Sequence, residues 1–205
     1  MIDSAPAAWS YSHITGMLLM DIKGTFPSVA TRRLVNMMNI RQMDCDLRQW
    51  TESLLLERTV EMIIKGHAMD RYIVGAVVPH GSPVPPILFA IYTSGLIKCV
   101  KQYESEATGL STLDHLGWVA TGSNVNHVVS LLDRCAAKCI KWGRTRGLQF
   151  DTAKTEAAPW PCTRGHRKHL RPNMIAIIKV GNGFLRFNTQ VTRWLGVGMD
   201  AHLTF

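Results

Sequence analysis

The sequence predicts an α+β fold, an antiparallel sheet backed by helices, and three observations carry that expectation. Strand-like apolar runs and helix-like periodicities are segregated along the chain instead of alternating as βαβ units would. The longest helical pattern, Asn124 to Arg146, directly follows a hairpin-like apolar segment, Leu110 to Thr121. And 205 residues that are 46% hydrophobic and only 19% charged supply enough apolar material for one sizeable core.

The elements follow in order. Met17, Leu18, Leu19 and Met20 stand in succession, so the run Ile14 to Ile22 reads as a strand buried on both faces. Ser28 is placed to cap a first helix, in which Val29, Leu34, Val35 and Met38 recur at helical spacing. A second helix from Asp44 to Leu56 presents Leu47, Trp50, Leu54 and Leu55 on one face. Thr59 to Lys65 and Tyr72 to Val78 read as two strands of a hairpin, with the breakers Gly66 and His67 between them. Pro79, Gly81, Pro83, Pro85 and Pro86 form the densest turn signal. Pro85 and Pro86 suit the first turn of a helix that runs to Lys101. After a polar loop, Gln102 to Gly109, the segment Leu110 to Thr121 is apolar on both sides of Asp114. The long helix turns Val128, Leu131, Leu132, Cys135, Cys139 and Trp142 inward, and Gly147 ends it. Four short strands complete the chain: Gln149 to Ala158, Ile175 to Val180, Phe184 to Phe187 and Trp194 to Met199. A basic loop, Cys162 to Arg171, lies among them, and Gly181-x-Gly183 is a turn, since no helix follows it. Met17, Met20, Met37, Met38, Met43 and Met62 fall on the expected core faces.

Composition narrows the partners. The net charge of +8 favours an anionic ligand. The five cysteines form no C-x-x-C pair, which speaks against a disulfide framework and for a reducing compartment. No apolar run reaches the ~20 residues of a membrane span, and the first residues lack the order of a signal peptide. The expectation is an intracellular protein, nuclear or cytoplasmic, with no membrane partner.

Two carboxylates stand where a carboxylate is costly. Asp21 ends a buried strand, and Asp114 interrupts an apolar hairpin. Either one alone is most simply a turn or cap aspartate. Together, two strand-borne carboxylates far apart in sequence are what nucleotidyl transfer uses to hold a pair of divalent ions. One ion activates the attacking 3′-hydroxyl and the other neutralises the triphosphate. Magnesium suits such oxygen ligands.

At these residues the chain resembles the reverse transcriptases of non-LTR (LINE-type) retrotransposons. Leu19-Met20-Asp21-Ile22-Lys23-Gly24-Thr25-Phe26 is similar to their first palm motif, and His80-Gly81-Ser82-Pro83-Val84-Pro85-Pro86-Ile87-Leu88-Phe89 to their Q-G-S-P turn and helix. Thr112-Leu113-Asp114-His115 stands in place of the Y-x-D-D hairpin. Gly147 to Glu156, with Lys154 and Thr155, resembles the motif that follows, and Trp194-Leu195-Gly196-Val197 with Leu203-Thr204-Phe205 resembles the strand near the thumb. These matches occur in the family's order over nearly the whole chain. The resemblance implies a single reverse transcriptase-like domain over residues 1–205, a right-hand palm with partial fingers and no thumb. It implies RNA-directed DNA synthesis on an RNA template and DNA primer with deoxynucleoside triphosphates. Asp21 and Asp114 would hold Mg2+ (or Mn2+), and Lys154 would meet the triphosphate. Ile22, Phe26, Gly81 and Ser82 would contact the nucleotide, with Phe26 excluding a 2′-hydroxyl. His80 and Pro83 would lie against nucleic acid, as would Arg164, Arg167 and Lys168 of the basic loop, although a charge run is usually a solvated face.

Four residues depart from the family pattern. His115 replaces the second hairpin aspartate, the place of a third metal ligand; Thr112 replaces its tyrosine, His80 the glutamine before Gly81, and Pro27 the aspartate after Phe26. A neutral imidazole supplies none of the lost negative charge. The sequence therefore implies a truncated relative with a degenerate, weakened site. The alternative is a non-catalytic nucleic-acid-binding remnant of a retrotransposon polyprotein. Cys162, His166 and His169 with Cys139 have the residue types of a zinc site at irregular spacing, which favours plain solvated residues.

Overall fold

β1 (Ile14–Lys23) is the axis of the molecule: eight of its ten positions are buried, and both of its edges are paired. The computed structural model describes residues 14–25, 27–56, 59–73, 83–112, 114–161, 176–188 and 191–200. β1 lies between β7 (His115–Gly122) and β8 (Gln149–Pro161), and β6 (Ala107–Ser111) joins at the edge. The result is a four-stranded sheet of order β6-β7-β1-β8, antiparallel at every step. Alternation along β1 divides its side chains between two cores. Leu18, Met20 and Ile22 join Leu116, Trp118, Ala120 and Ala157 in the main core, while Met17 and Leu19 join Val119, Ala158, Trp194 and Met199 in a smaller one.

The main core is closed by helices. α1 (Thr31–Ile40) and α2 (Cys45–Leu55) precede α3 (Val84–Thr93), α4 (Gly95–Lys101) and the long α5 (Val125–Arg146). In α5 every residue expected to face inward is buried: Val128, Leu131, Leu132, Cys135, Cys139 and Trp142. Asn124 caps it by accepting from the His127 N–H at 2.8 Å, and Gly147 ends it in the left-handed conformation at φ 77°. Gly16 lets α5 approach the sheet, since a Cβ there would stand 2.6 Å from Val128 Cγ1. The Trp118 indole N–H donates to Cys139 Sγ at 3.1 Å, and the Tyr92 hydroxyl donates to the Arg146 carbonyl. Both bonds pin α5 to its neighbours.

Several elements differ from expectation. Ala30, not Ser28, precedes α1; the Ser28 hydroxyl donates instead to the Thr25 carbonyl at 2.9 Å, closing the turn after β1. The inner face of α2 is carried by Thr51 and Leu55, while Leu47 and Trp50 are exposed. The expected helix to Lys101 is two helices with a break at Ser94, whose hydroxyl donates to the Ile91 carbonyl at 2.7 Å. The window Val84–Lys101 is long and apolar enough to cross a membrane by length and composition, but Leu88, Phe89, Tyr92, Leu96 and Val100 belong to the core. Residues 59–73 do form a hairpin, as two short ladders: β2 (Thr59–Val60) with β5 (Tyr72–Ile73), and β3 (Ile63–Ile64) with β4 (His67–Ala68). Lys65 and Gly66 turn it with positive φ, so His67 is a strand residue and no breaker, and Met62 is exposed. β9 (Ile177–Val180) and β10 (Gly183–Arg186) meet at the Gly181 turn. The segment expected as one strand from Trp194 to Met199 is instead a hairpin of β11 (Val191–Trp194) and β12 (Val197–Asp200). Its turn holds Leu195 and Gly196 at φ 51° and 84°.

Candidate active site

On the sheet face away from the helices, the last residues of β1 meet the start of β7. Asp21 pairs directly with His115 across the two strands, and the Ile22 N–H donates to the Asp114 carbonyl at 2.9 Å. The β6–β7 turn is closed by the Thr112 N–H donating to the His115 carbonyl at 2.9 Å. Backbone pairing thus brings together the two carboxylates that lie far apart in sequence. Asp21 is only 9% exposed, and Asp114, at the turn, is half-exposed.

β8 completes the site through an irregularity. Its ladder with β1 runs from Pro161 to Glu156 opposite Leu19, then resumes with Asp151 opposite Asp21. The residues between bulge outward, held by the Thr155 hydroxyl donating to the Asp151 carbonyl at 2.8 Å and the Ala153 N–H donating to Asp151 Oδ1 at 3.1 Å. The bulge carries Lys154, whose Nζ lies 3.2 Å from Asp21 Oδ2. That hydrogen bond and the charge of Asp21 raise the Lys154 ammonium above its ordinary range, with Asp151 and Asp114 adding to the effect.

His115 stands between the two carboxylates. Its Nδ1 is 3.5 Å from Asp21 Oδ1, and its Nε2 is 3.6 Å from Asp114 Oδ1. Its ring leans on Trp194, with centroids 5.7 Å apart and planes tilted by 56°. Trp194 comes from the β11–β12 hairpin, which is tied to β8 where the Arg193 N–H donates to Glu156 Oε2 at 3.2 Å. An open cleft of about 760 Å³ results, lined by Asp21, Asp114, His115, Lys154 and Arg193 among others.

Of the residues singled out in the sequence, Asp21, Ile22, Asp114, His115 and Lys154 line this cleft together. Pro83 stands at the start of α3 and is not among the lining residues. Phe26, His80, Gly81, Ser82, Arg164, Arg167 and Lys168 lie outside the described residues, as do Cys162, His166 and His169. Cys139 is buried on α5, where its sulfur accepts from the Trp118 indole. Asp151, Glu156 and Arg193 also line the cleft, although the sequence reading assigned none of them a role there. Asp151 and Glu156 do so through the bulge, and Arg193 through the folding back of the last hairpin.

One oxygen or nitrogen from each of Asp21, Asp114 and His115 lies within 4.8 Å of the others, so the described residues offer one cluster able to hold a metal ion. The donor set does not fit a magnesium pair. Two carboxylates carry two negative charges against four positive, one oxygen of Asp21 already faces an ammonium, and the third donor is a nitrogen.

An antiparallel sheet with helices on one face and an acidic pair on the other, at the meeting of two neighbouring strands, defines the palm of a template-directed polymerase. The model of the reverse transcriptase (RNA-dependent DNA polymerase) family matches residues 5–199, and the chain belongs to that family. Among solved structures, it is similar to telomerase from Candida tropicalis truncated from its C-terminal domain. That match has TM-score 0.60 and 11% identity, over 99% of this chain and 38% of that one. It is also similar to telomerase from Candida tropicalis in complex with the TWJ fragment of telomeric RNA, with TM-score 0.64 and 11% identity, over 99% of this chain and 31% of that one. The chain thus spans about a third of the length of these structures. No curated protein sequence matches it.

Proposed function

We propose that the chain is the palm, with part of the fingers, of a non-LTR retrotransposon reverse transcriptase whose nucleotidyl-transfer site is attenuated. Residues 1–205 act as one domain in this reading. The substrates are an RNA template, a DNA primer and deoxynucleoside triphosphates, met inside the cell in nucleus or cytoplasm. The observation that carries the attenuation is the imidazole of His115 between Asp21 and Asp114, where the family pattern has a carboxylate. Divalent cations supply such enzymes with charge neutralisation at the triphosphate, which this donor set supports least well. What the chain's own residues retain is positioning. Lys154, anchored on Asp21, presents a cation to the cleft where a polyphosphate would lie, and Arg193 adds a second at its rim. Asp21, held by backbone pairing on both sides, remains the acceptor that an attacking hydroxyl would approach.

Primer extension on a primed poly(rA) template tests this reading. Wild type should extend poorly with magnesium, His115→Asp should extend better, and Asp21→Ala should extend nothing. Robust wild-type extension would end the attenuation argument. A second reading, a nucleic-acid-binding module without chemistry, is favoured by a groove of about 650 Å³ between α5 and the β9–β10 hairpin, where Lys141, Arg144 and Lys179 converge. Salt-dependent retention of RNA by Asp21→Ala, with no extension by any variant, would favour that module.

A further inference from the structure

We propose that Asp21, Asp114 and His115 form a site for a single divalent transition-metal ion, one that the imidazole selects over magnesium. The inference rests on the location of the active site given above, not on surviving polymerase activity. Three features of the site converge on it.

The first is charge. Two carboxylates balance one dication, and the Lys154 ammonium on Asp21 Oδ2 further disfavours a second. The second is donor chemistry. Magnesium is held by oxygen in near-octahedral cages, whereas imidazole suits later first-row ions such as iron, nickel, copper and zinc. The third is spacing. Metal–ligand bonds of about 2.1 Å place tetrahedral ligands roughly 3.4 Å apart, and Asp21 Oδ1 stands 3.5 Å from His115 Nδ1. Only one ring nitrogen can face a given ion. With Nδ1 and Asp21 in place, Asp114 must swing in, and its side chain, 47% exposed on a turn, is free to do so.

The supports around the ligands are those of a built site. Asp21 and His115 are cross-strand partners on the central pair of the sheet, so their separation is set by backbone hydrogen bonds and not by two flexible side chains. The tilted contact with Trp194 holds the His115 ring on its far side. The cleft is open and Asp114 is half-exposed, which leaves water or a phosphate oxygen to complete the coordination.

Cobalt(II) is the probe, because its visible absorption reports nitrogen and oxygen ligation directly. The intact chain is titrated with cobalt in a large excess of magnesium, with stoichiometry from equilibrium dialysis. One equivalent should bind, without the sulfur-to-cobalt absorption that a cysteine site would give, and zinc should displace it. His115→Ala should weaken binding roughly a hundredfold, the upper end of what loss of even a supporting partner costs. His115→Asp should let magnesium compete, and circular dichroism would verify that both variants fold. Displacement of cobalt by magnesium in wild type, binding of two equivalents, or undiminished binding in His115→Ala would each overturn the proposal. Primer extension separates it from the polymerase reading. Cobalt binding without extension by any variant leaves this site standing and removes the enzyme. Extension with magnesium alone and no cobalt binding does the reverse.

Discussion

His115→Asp changes the site's chemistry with the least change in its geometry, and its cost follows from the distances. In wild type the imidazole stands 3.5 Å from Asp21 and 3.6 Å from Asp114. A third carboxylate in that place would face two like charges at about 4 Å. Such a pair costs about 1 kcal/mol in water and about 4 kcal/mol at the effective dielectric of a protein surface. Asp114 is half-exposed, so the lower part of that range applies, and the two pairs together cost about 2–3 kcal/mol. For a domain of this size each kcal/mol moves Tm by roughly 2–4 °C, so the metal-free variant should melt about 5–10 °C below wild type. A dication relieves the repulsion. At a hundred times its Kd a ligand adds about 2.7 kcal/mol of stability, enough to recover the loss. The assay is thermal unfolding of both proteins across a magnesium titration. The variant's Tm should climb toward that of wild type, while wild type stays flat. A metal-free variant as stable as wild type would show that the two aspartates are not held close to position 115. A magnesium-dependent rise in wild type of the same size would show that the imidazole does not exclude the ion.

Three further outcomes test the scaffold. Gly16→Ala would force a methyl to within 2.6 Å of Val128 Cγ1 and about 3.2 Å of Leu132 Cδ1; overpacking should cost roughly 1–3 kcal/mol, read from urea midpoints at constant slope. Burial pushes the Glu104 carboxyl up, but hydrogen bonds from Lys138 (2.6 Å) and Arg134 (2.9 Å) outweigh it and hold it below its ordinary 4.5. Its contribution to stability is therefore present above that ordinary value and lost as pH falls through the lower folded value. Glu104→Gln should flatten that part of the stability–pH curve, as pH falls below the ordinary 4.5, a comparison made by urea unfolding. Burial pushes the Cys135 thiol up to about 12, with Glu104 adding to the shift, and raises Cys139 further still. Labelling of both by a thiol reagent should follow global unfolding, while exposed Cys45 reacts at once; rapid labelling of Cys135 in the native protein would refute the packing of α5 onto the sheet.

The sequence was most legible where one periodicity governs one element. α5 reads correctly from cap to cap because Asn124, the inward stripe and Gly147 each impose a local rule that no tertiary contact overrides. β1 reads correctly because only a central strand tolerates Met17 to Met20 in a row. Legibility fails where a short element borrows its partner from elsewhere. α2 turns Trp50 outward because what it packs on is α1, a surface fixed by topology and not by its own hydrophobic stripe. Trp194 to Met199 looks like one strand because Leu195 adopts positive φ, a conformation its residue type does not announce.

The candidate site divides in the same way. Asp21, Asp114 and Lys154 were visible as chemistry in the sequence, but their mutual distances depend on the register of β8 against β1. In an unbroken ladder continuing from Leu19 opposite Glu156, Lys154 would stand directly opposite Asp21. The bulge places Asp151 there instead, and Lys154 leans back to reach Asp21 Oδ2 at 3.2 Å. The face of the cleft therefore takes two charges of opposite sign from β8 where a regular strand would supply one. An ammonium with acidic neighbours on two sides keeps its proton, as the raised Lys154 pKa reflects. It is then a fixed cation beside Asp21, in a cleft where the His115 imidazole stands between Asp21 and Asp114. The bulge thus sets Asp151 beside the ammonium, so β8 brings no net charge to Asp21, where a regular ladder would have brought Lys154 alone.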